Sequence, residues 1–106
     1  MYRYTIAMET TENTLTATAR VATAKPVPYM RQLCKHFGHK TETGYDDTTG
    51  FIELGAGRCD LDAGAADLLV LTARAQDAEK LETVQRVIGS HLERFGRRDE
   101  LSVSWD

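Results

Sequence analysis

The sequence has no long hydrophobic run and no apparent leader segment, and each absence excludes a class of protein. A membrane-spanning helix needs about 18 or more predominantly apolar residues in a row, and no stretch of the chain approaches that length. The first residues, 1–8, lack the basic and then apolar layout of a secretory signal. We therefore expect a cytoplasmic protein with no membrane partner.

Basic residues and cysteines are also too sparse to define a site by themselves. The formal net charge is -3, and the longest basic run is the pair Arg97 and Arg98. Since nucleic-acid binding depends on clustered lysines and arginines, no nucleic-acid partner is expected. The two cysteines, Cys34 and Cys59, are too few for a disulfide framework and form no C-x-x-C motif. We expect both to be reduced thiols.

What remains is the composition of a globular domain. The chain has 106 residues, of which 42% are hydrophobic and 27% charged. This length suits one hydrophobic core and is too short for two. The sequence therefore predicts a single domain over residues 1–106.

Alternating apolar and polar residues predict β-strands along much of the chain. Over residues 14–23, Leu15, Ala17, Ala19 and Val21 share one face, and polar residues occupy the other. Residues 1–13 also alternate in part, which predicts either a mobile N-terminal extension or an extra hairpin strand. Further strands are predicted at 41–45, 51–54, 57–62, 68–74 and 101–105, with turns at 46–50 and 63–67.

Two segments carry the three-and-four spacing of amphipathic helices. The first is predicted over 26–37, because Pro26 and Pro28 suit a first helical turn and Gly38 suits a left-handed position just past the end. The second follows Asp77, an N-cap candidate, and ends near Gly96. This order of elements predicts an α+β, two-layer sandwich, in which two helices cover one face of an antiparallel sheet of five to six strands.

Histidines and a cysteine cluster at the end of the first predicted helix. Cys34, His36 and His39 lie within six positions, and thiolate and imidazole are ligands for transition metals. At about 100° per residue, however, these three side chains do not converge from one helix face. The alternative is a buried cysteine beside solvated histidines.

His91 lies inside the apolar stripe of the second predicted helix. An imidazole there faces either the core or a cleft, and a buried one needs a hydrogen-bond partner. Basic residues also follow both helix ends, as complements to the helix dipoles. If those two ends are neighbours, the same residues would form a positive pocket for a small anion.

Two segments resemble a bacterial family catalogued as domain of unknown function 2218, namely Leu33-Cys34-Lys35-His36-Phe37-Gly38-His39-Lys40 and Gly89-Ser90-His91-Leu92-Glu93-Arg94-Phe95. The resemblance covers about residues 14–105. It implies a small stand-alone protein with a link to siderophore-interacting flavin reductases, and hence to iron acquisition. The chain has no reductase portion of its own, so flavin chemistry is not implied. The signature positions would be Cys34, His36, Phe37, His39, Arg58, Cys59, His91, Glu93 and Arg94.

Three functional hypotheses follow, and the sequence defines neither a cofactor nor a catalytic residue. The first is a module that binds a small anionic ligand or an iron chelate, with a metal as a variant of it. The second is a protein-interaction or homodimerisation module, and the third is an enzyme with His91 as general base and Cys34 or Cys59 as nucleophile. The predicted ligand-binding residues are His36, His39, Arg58, His91, Glu93 and Arg94, and the predicted metal ligands are Cys34, His36 and His91.

Overall fold

A computed structural model of the protein describes residues 14–106. The predictions for residues 1–13 therefore lie outside the described residues. Within the described part, no helix is long and apolar enough to cross a membrane. The elements in chain order are β1 (Leu15–Ala22), α1 (Pro26–Phe37), β2 (Thr43–Tyr45), β3 (Thr49–Glu53), β4 (Gly57–Asp62), β5 (Leu68–Ala75), α2 (Ala78–Phe95) and a 3₁₀ turn (Arg97–Asp99).

The strands form one antiparallel sheet in the order β1-β5-β4-β3-β2. Strands β2 to β5 are the predicted meander, in which each strand pairs with the next one along the chain. β1 lies at the opposite edge from β2, beside β5, so α1 carries the chain from one edge of the sheet to the other. This crossing places α1 over β2 and β3, while α2 lies over β5, β4 and β1.

Both helices cover the same face of the sheet, as predicted. Strand pairing aligns Ala17, Ala73, Cys59 and Ile52 in one row across four strands, and all four are buried. The apolar sides of both helices complete the same core cluster through Tyr29, Met30, Leu33, Cys34, Val84, Ile88 and Leu92. The α+β, two-layer prediction is therefore confirmed, with five strands among the described residues.

Local sequence signals account for the helix boundaries. Pro26 and Pro28 occupy the first turn of α1, where a missing N–H group costs no intrahelical hydrogen bond. The Asp77 carboxylate caps α2 by accepting a hydrogen bond from the Lys80 N–H. Gly38 is not left-handed, contrary to the prediction, because its φ is -63° and its ψ is -14°. A Cβ there would lie 3.0 Å from the Cys34 carbonyl oxygen and from Thr43 Oγ1, so its small size suits a close contact.

The predicted C-terminal strand is reduced to a single bridge between Trp105 and Ala19 of β1. Upstream of the bridge, the Val103 N–H donates to the Glu93 carboxylate on α2. This hydrogen bond attaches the segment to α2, while the Asp106 N–H donates to the Thr18 carbonyl oxygen of β1. Trp105 still packs against the core cluster, so the segment covers the core without extending the sheet.

Candidate functional site at the end of the first helix

Two histidines from different helices are in ring contact. The centroids of the His36 and His91 rings lie 5.1 Å apart, with their planes tilted by 46°. Phe37 and Phe95 surround them, since Phe37 lies 4.9 Å from His91 and Phe95 lies 5.4 Å from His36. The fold therefore joins the two histidine segments that the sequence places 55 residues apart.

His91 is held by its own helix. Its Nδ1 lies 2.7 Å from the carbonyl oxygen of Val87, one turn earlier. Because a carbonyl only accepts, Nδ1 carries a proton, and in the neutral form of the ring Nε2 is the unprotonated nitrogen. The side chain is half-buried. His91 is thus neither a sequestered core residue nor a solvated one, and Nε2 is the nitrogen left for a partner.

The two helices lie antiparallel to each other. Tyr29, in the first turn of α1, donates its hydroxyl hydrogen bond to Asp99 beyond the end of α2. Further along α1, His36 contacts the last turns of α2, where His91 lies. The end of α1 therefore meets the last turns of α2, and the 3₁₀ turn that contains Arg97 and Arg98 lies beside the start of α1.

An open groove lies beside the histidine pair and has a volume of about 550 Å³. Six of its lining residues follow the spacing of a single helical face of α1 and the residues just after it, and one comes from α2. That spacing is a signal in the sequence that could have identified Arg31 as a site residue, which the sequence analysis missed. Lys35 is one of the basic residues at the end of the first predicted helix for which a positive pocket was expected. The lining consists of Pro28, Arg31, Gln32, Lys35, His36, His39 and Phe95.

The groove is electropositive. Among residues 14–106, no carboxylate forms a salt bridge with Arg31 or Lys35 at the groove, or with Lys40 or Arg94 close by. Arg31 instead lies over the ring of Tyr45, at 5.9 Å. Desolvation lowers the pKa of His36, and the positive charges of His91, Lys40, His39 and Arg94 lower it further. The described lining of the groove thus contains basic side chains and no acidic one.

Cys34 is not part of the histidine pair. Its thiol faces the sheet, where it lies 3.8 Å from the Gly44 carbonyl oxygen and 3.9 Å from that of Phe51. Burial raises the pKa of Cys34 to about 11 and raises that of Cys59 further. Within residues 14–106, no three His, Cys, Asp or Glu side chains are grouped to hold a metal ion. The predicted metal set of Cys34, His36 and His91 is therefore not assembled by the described residues.

Two of the predicted ligand-binding residues have structural partners away from the groove. Arg58 lies on the sheet face opposite the helices, over the Phe51 ring at 4.4 Å, and binds Glu53 and Asp60 at 2.9 Å each. Glu93 accepts the hydrogen bond from the Val103 N–H. His36 and His39 line the groove, His91 contacts His36, and Arg94 lies near enough to His36 to affect its pKa.

A second cavity, at the turn between β3 and β4, also has basic residues in its lining. It is lined by Arg58, Arg74 and Lys80, among others. Asp60 binds both arginines, with 2.9 Å from each Nε to its carboxylate, and Glu53 adds a second negative charge beside Arg58. Because both arginines are already paired with carboxylates, Lys80 is the one cation named here without a carboxylate partner among residues 14–106, and this cavity offers less to an anion than the groove beside α1.

The comparison with known proteins places the chain in a family. Residues 18–106 match the sequence model of a family described as an uncharacterized protein conserved in bacteria (DUF2218). The chain belongs to this family. The fold is also similar to the NMR structure of the protein PA4090 from Pseudomonas aeruginosa, with a TM-score of 0.72 and 32% sequence identity over 86% of this chain and 94% of that one. No curated protein matches the chain.

Membership agrees with the resemblance found in the sequence and carries no established activity, since the family is described as uncharacterized. The matched range includes both histidine segments and both helices. It also contains every residue that lines the groove. The groove therefore belongs to the domain that defines the family.

Proposed function

We propose that the protein is a binding module for a small anionic ligand, which it holds in the groove beside the end of α1. The observation that carries this proposal is the set of basic side chains around the groove that have no carboxylate partner among residues 14–106. Elsewhere on the described surface, Arg20, Lys25, Arg58 and Arg74 are each paired with an acid. Lys80, Arg86, Arg97 and Arg98 have no carboxylate partner among residues 14–106 either, but they do not line the groove, so the grouping of unpaired cations is what distinguishes it.

The lining of the groove suits a ligand with both charge and a flat or apolar part. Lys35 and Arg31 supply positive charge, and a guanidinium group can bind a carboxylate or phosphate through two parallel hydrogen bonds. The Phe95 ring and the imidazole of His36 form an aromatic side of the groove. Carboxylates and phosphates on a compact organic scaffold are therefore the ligand class that this geometry favours.

Complementation of the helix dipole explains part of this positive charge, but it predicts fewer cations than are found around the groove. Lys35 and His36 occupy the last turn of α1, where a cation stabilises the helix end. Arg31 lies a turn earlier, and Arg94 comes from the other helix. Arg31 in the groove lining and Arg94 near His36 add positive potential beyond what the end of one helix requires. Ferric citrate belongs among the anions to be tested, because the resemblance implies a setting in iron acquisition.

The proposal can be tested by titration of the full chain with phosphate, citrate and ferric citrate, followed by calorimetry and by shifts of backbone amide resonances. We expect saturable binding of at least one of these anions, with shifts confined to residues around Lys35 and His39. Lys35→Gln and Arg31→Gln should each weaken binding by about tenfold, as expected for the loss of a charged hydrogen bond. Lys80→Gln, which removes a cation from the second cavity, is the matched control and should bind as the unaltered chain does.

Two results would contradict the proposal. One is the absence of saturable binding for every anion tested. The other is equal weakening by Lys80→Gln and Lys35→Gln, which would indicate a general charge effect and no defined groove.

A further inference from the structure

We propose that the anionic ligand is a chelate of a transition metal, and that His36 and His91 together complete the coordination of its metal ion. This inference rests on the proposed function, because it names the class of anion that the groove would take. Its basis is the contact between two imidazoles at the edge of an electropositive groove.

The spacing of the rings matches what one metal ion requires. Imidazole nitrogens bind such ions at about 2.1 Å, which puts the centroids of two rings on neighbouring positions about 5 Å apart. The observed separation is 5.1 Å. The rings are tilted by 46°, so they are not stacked face to face. Packed aromatic rings share this spacing, and a shared ion requires in addition that one nitrogen of each ring faces it.

The nitrogen atoms needed for coordination are available. Since Nδ1 of His91 donates to the Val87 carbonyl, Nε2 is the nitrogen with a lone pair in the neutral form of the ring, and this kind of backbone hydrogen bond is common for histidines that bind metals. The carbonyl orients the ring and sets its tautomer before any ligand arrives. Among the hydrogen bonds of residues 14–106, none involves a ring nitrogen of His36. That ring can therefore turn toward an ion without losing a partner.

Two histidines alone do not make a complete metal site. The positive charge around them indicates that the remaining donor atoms would come from an anionic chelator. No third His, Cys, Asp or Glu joins the pair among residues 14–106. The basic residues near the pair would also repel a bare divalent cation. An ion already bound by a polycarboxylate reverses that repulsion, because the complex carries net negative charge. The chelator would supply the remaining donors and contact Lys35 and Arg31.

The donor type limits the metal. Imidazole suits copper, nickel, zinc and iron, whereas carboxylate and carbonyl oxygens suit magnesium, calcium and manganese. The two histidines can act only on a chelate whose metal has a pair of neighbouring positions open. A chelate that surrounds its metal completely would be held by charge alone. The preferred ligand is thus an anionic, incompletely coordinated complex of a divalent transition metal.

The experiment uses calorimetry to compare the binding of two nickel chelates to the full-length protein without an affinity tag. Nickel nitrilotriacetate is anionic and leaves a pair of adjacent positions open, whereas the ethylenediaminetetraacetate complex is anionic and leaves none. We expect the first to bind at least about tenfold more tightly than the second. Direct nitrogen coupling in the electron paramagnetic resonance spectrum of the corresponding copper complex should show two imidazoles.

Substitutions of single histidines show which side chains coordinate the metal ion. His36→Ala and His91→Phe should each lower the affinity for nickel nitrilotriacetate by about tenfold or more and remove one imidazole from the copper spectrum. The phenylalanine keeps a ring of similar size at the half-buried position, which protects the fold. His39→Ala removes a groove histidine outside the pair, and it should leave both imidazole signals in place.

Failure of this inference can be told apart from failure of the proposed function. If both chelates and citrate bind alike, and all three are weakened by Lys35→Gln but not by His91→Phe, the anion groove stands and metal coordination is overturned. If neither chelate nor citrate binds, both are overturned. Binding of nickel nitrilotriacetate that survives the loss of either histidine also overturns the inference.

Discussion

Position 57 requires glycine because its surroundings leave no room for a side chain. A Cβ there would lie 2.1 Å from the carbonyl oxygen of Arg74 in the neighbouring strand, which is backbone and cannot turn away. Gly55, two residues earlier in the same turn, would place its Cβ in open space. The sequence alone does not distinguish these two glycines.

This difference gives a matched pair of variants. We expect Gly57→Ala to lower the free energy of unfolding by about 3 kcal/mol, because the methyl group must push β4 away from β5. Gly55→Ala should change it by no more than about 0.5 kcal/mol. Denaturant unfolding followed by circular dichroism measures both. Equal effects at the two positions would show that the close strand contact is absent.

The thiols provide a test of the enzyme hypothesis. Burial raises the pKa of Cys34 to about 11, and Cys59 is completely enclosed. Since the thiolate is the reactive form, we expect neither cysteine to react with a thiol reagent in the native chain at neutral pH. Both should react once the chain is unfolded. Rapid modification of native Cys34 below neutral pH would instead support a nucleophilic role.

The start of α2 shows how a local signal sets an element. Asp77 has an extended backbone and its carboxylate accepts the Lys80 N–H hydrogen bond at 2.8 Å. The first helical turn otherwise leaves its N–H groups without partners. The same kind of side chain is missing at α1, where no side-chain cap is present and the two prolines mark the start.

Removal of this cap should destabilise the protein measurably. We expect Asp77→Ala to lower the free energy of unfolding by about 1 kcal/mol, since the Lys80 N–H loses its acceptor. Asp47→Ala is the control, because Asp47 is an exposed residue in the turn between β2 and β3. Thermal and denaturant unfolding should agree on the order of the two variants. A change at Asp47 as large as that at Asp77 would contradict the capping role.

The C-terminal segment shows the limit of local patterns for an element. Residues 101–105 alternate as a strand does, yet only Trp105 forms a bridge with β1. Alternation reports which side chains face the core and says nothing of where the backbone hydrogen bonds go. Here Glu93 accepts the Val103 N–H, and only the fold brings that carboxylate into reach.

One polar cluster joins distant parts of the molecule. The Tyr29 hydroxyl on α1 and the Lys25 ammonium both contact Oδ2 of Asp99, which follows α2 in the chain. The hydrogen bond from Tyr29, and then the charge of Lys25, lower the pKa of the Asp99 carboxyl below its ordinary 3.8. The cluster therefore ties the start of the first helix to the end of the second.

This cluster predicts a pH dependence with a definite sign. Because the folded chain binds the proton of Asp99 more weakly than the unfolded chain does, its contribution to stability is present above about pH 4 and is lost as the pH falls further. We expect Tyr29→Phe to lose less unfolding free energy than the unaltered chain between about pH 5 and about pH 2. Urea unfolding at a series of pH values measures this. Parallel curves for the two chains would contradict the assignment.

The candidate site could be predicted only in part from the sequence, because some of its residues lie far apart along the chain. His36 and His39 follow from their cluster in the sequence, and Arg31 and Lys35 follow from helical spacing once the groove is known. The pairing of His36 with His91 depends on how α1 crosses the sheet. The structure places Arg58 apart from them, beside Phe51 and Glu53, and strand alternation does not say what the exposed face of a sheet meets. Residues 35–40 include basic side chains that give the groove positive charge. The tertiary fold decides which of these side chains have no carboxylate partner.

The sequence alone determined the helices, the meander and the face of each strand that is buried, because these depend on spacing within a few residues and on caps such as Asp77. It also determined which residues could serve as ligands. Only the tertiary structure decided that β1 lies beside β5, that Cys34 faces the sheet and that His36 contacts His91. Those relations depend on contacts between residues far apart in the chain, which are selected by the packing of one common core and leave no local pattern to read.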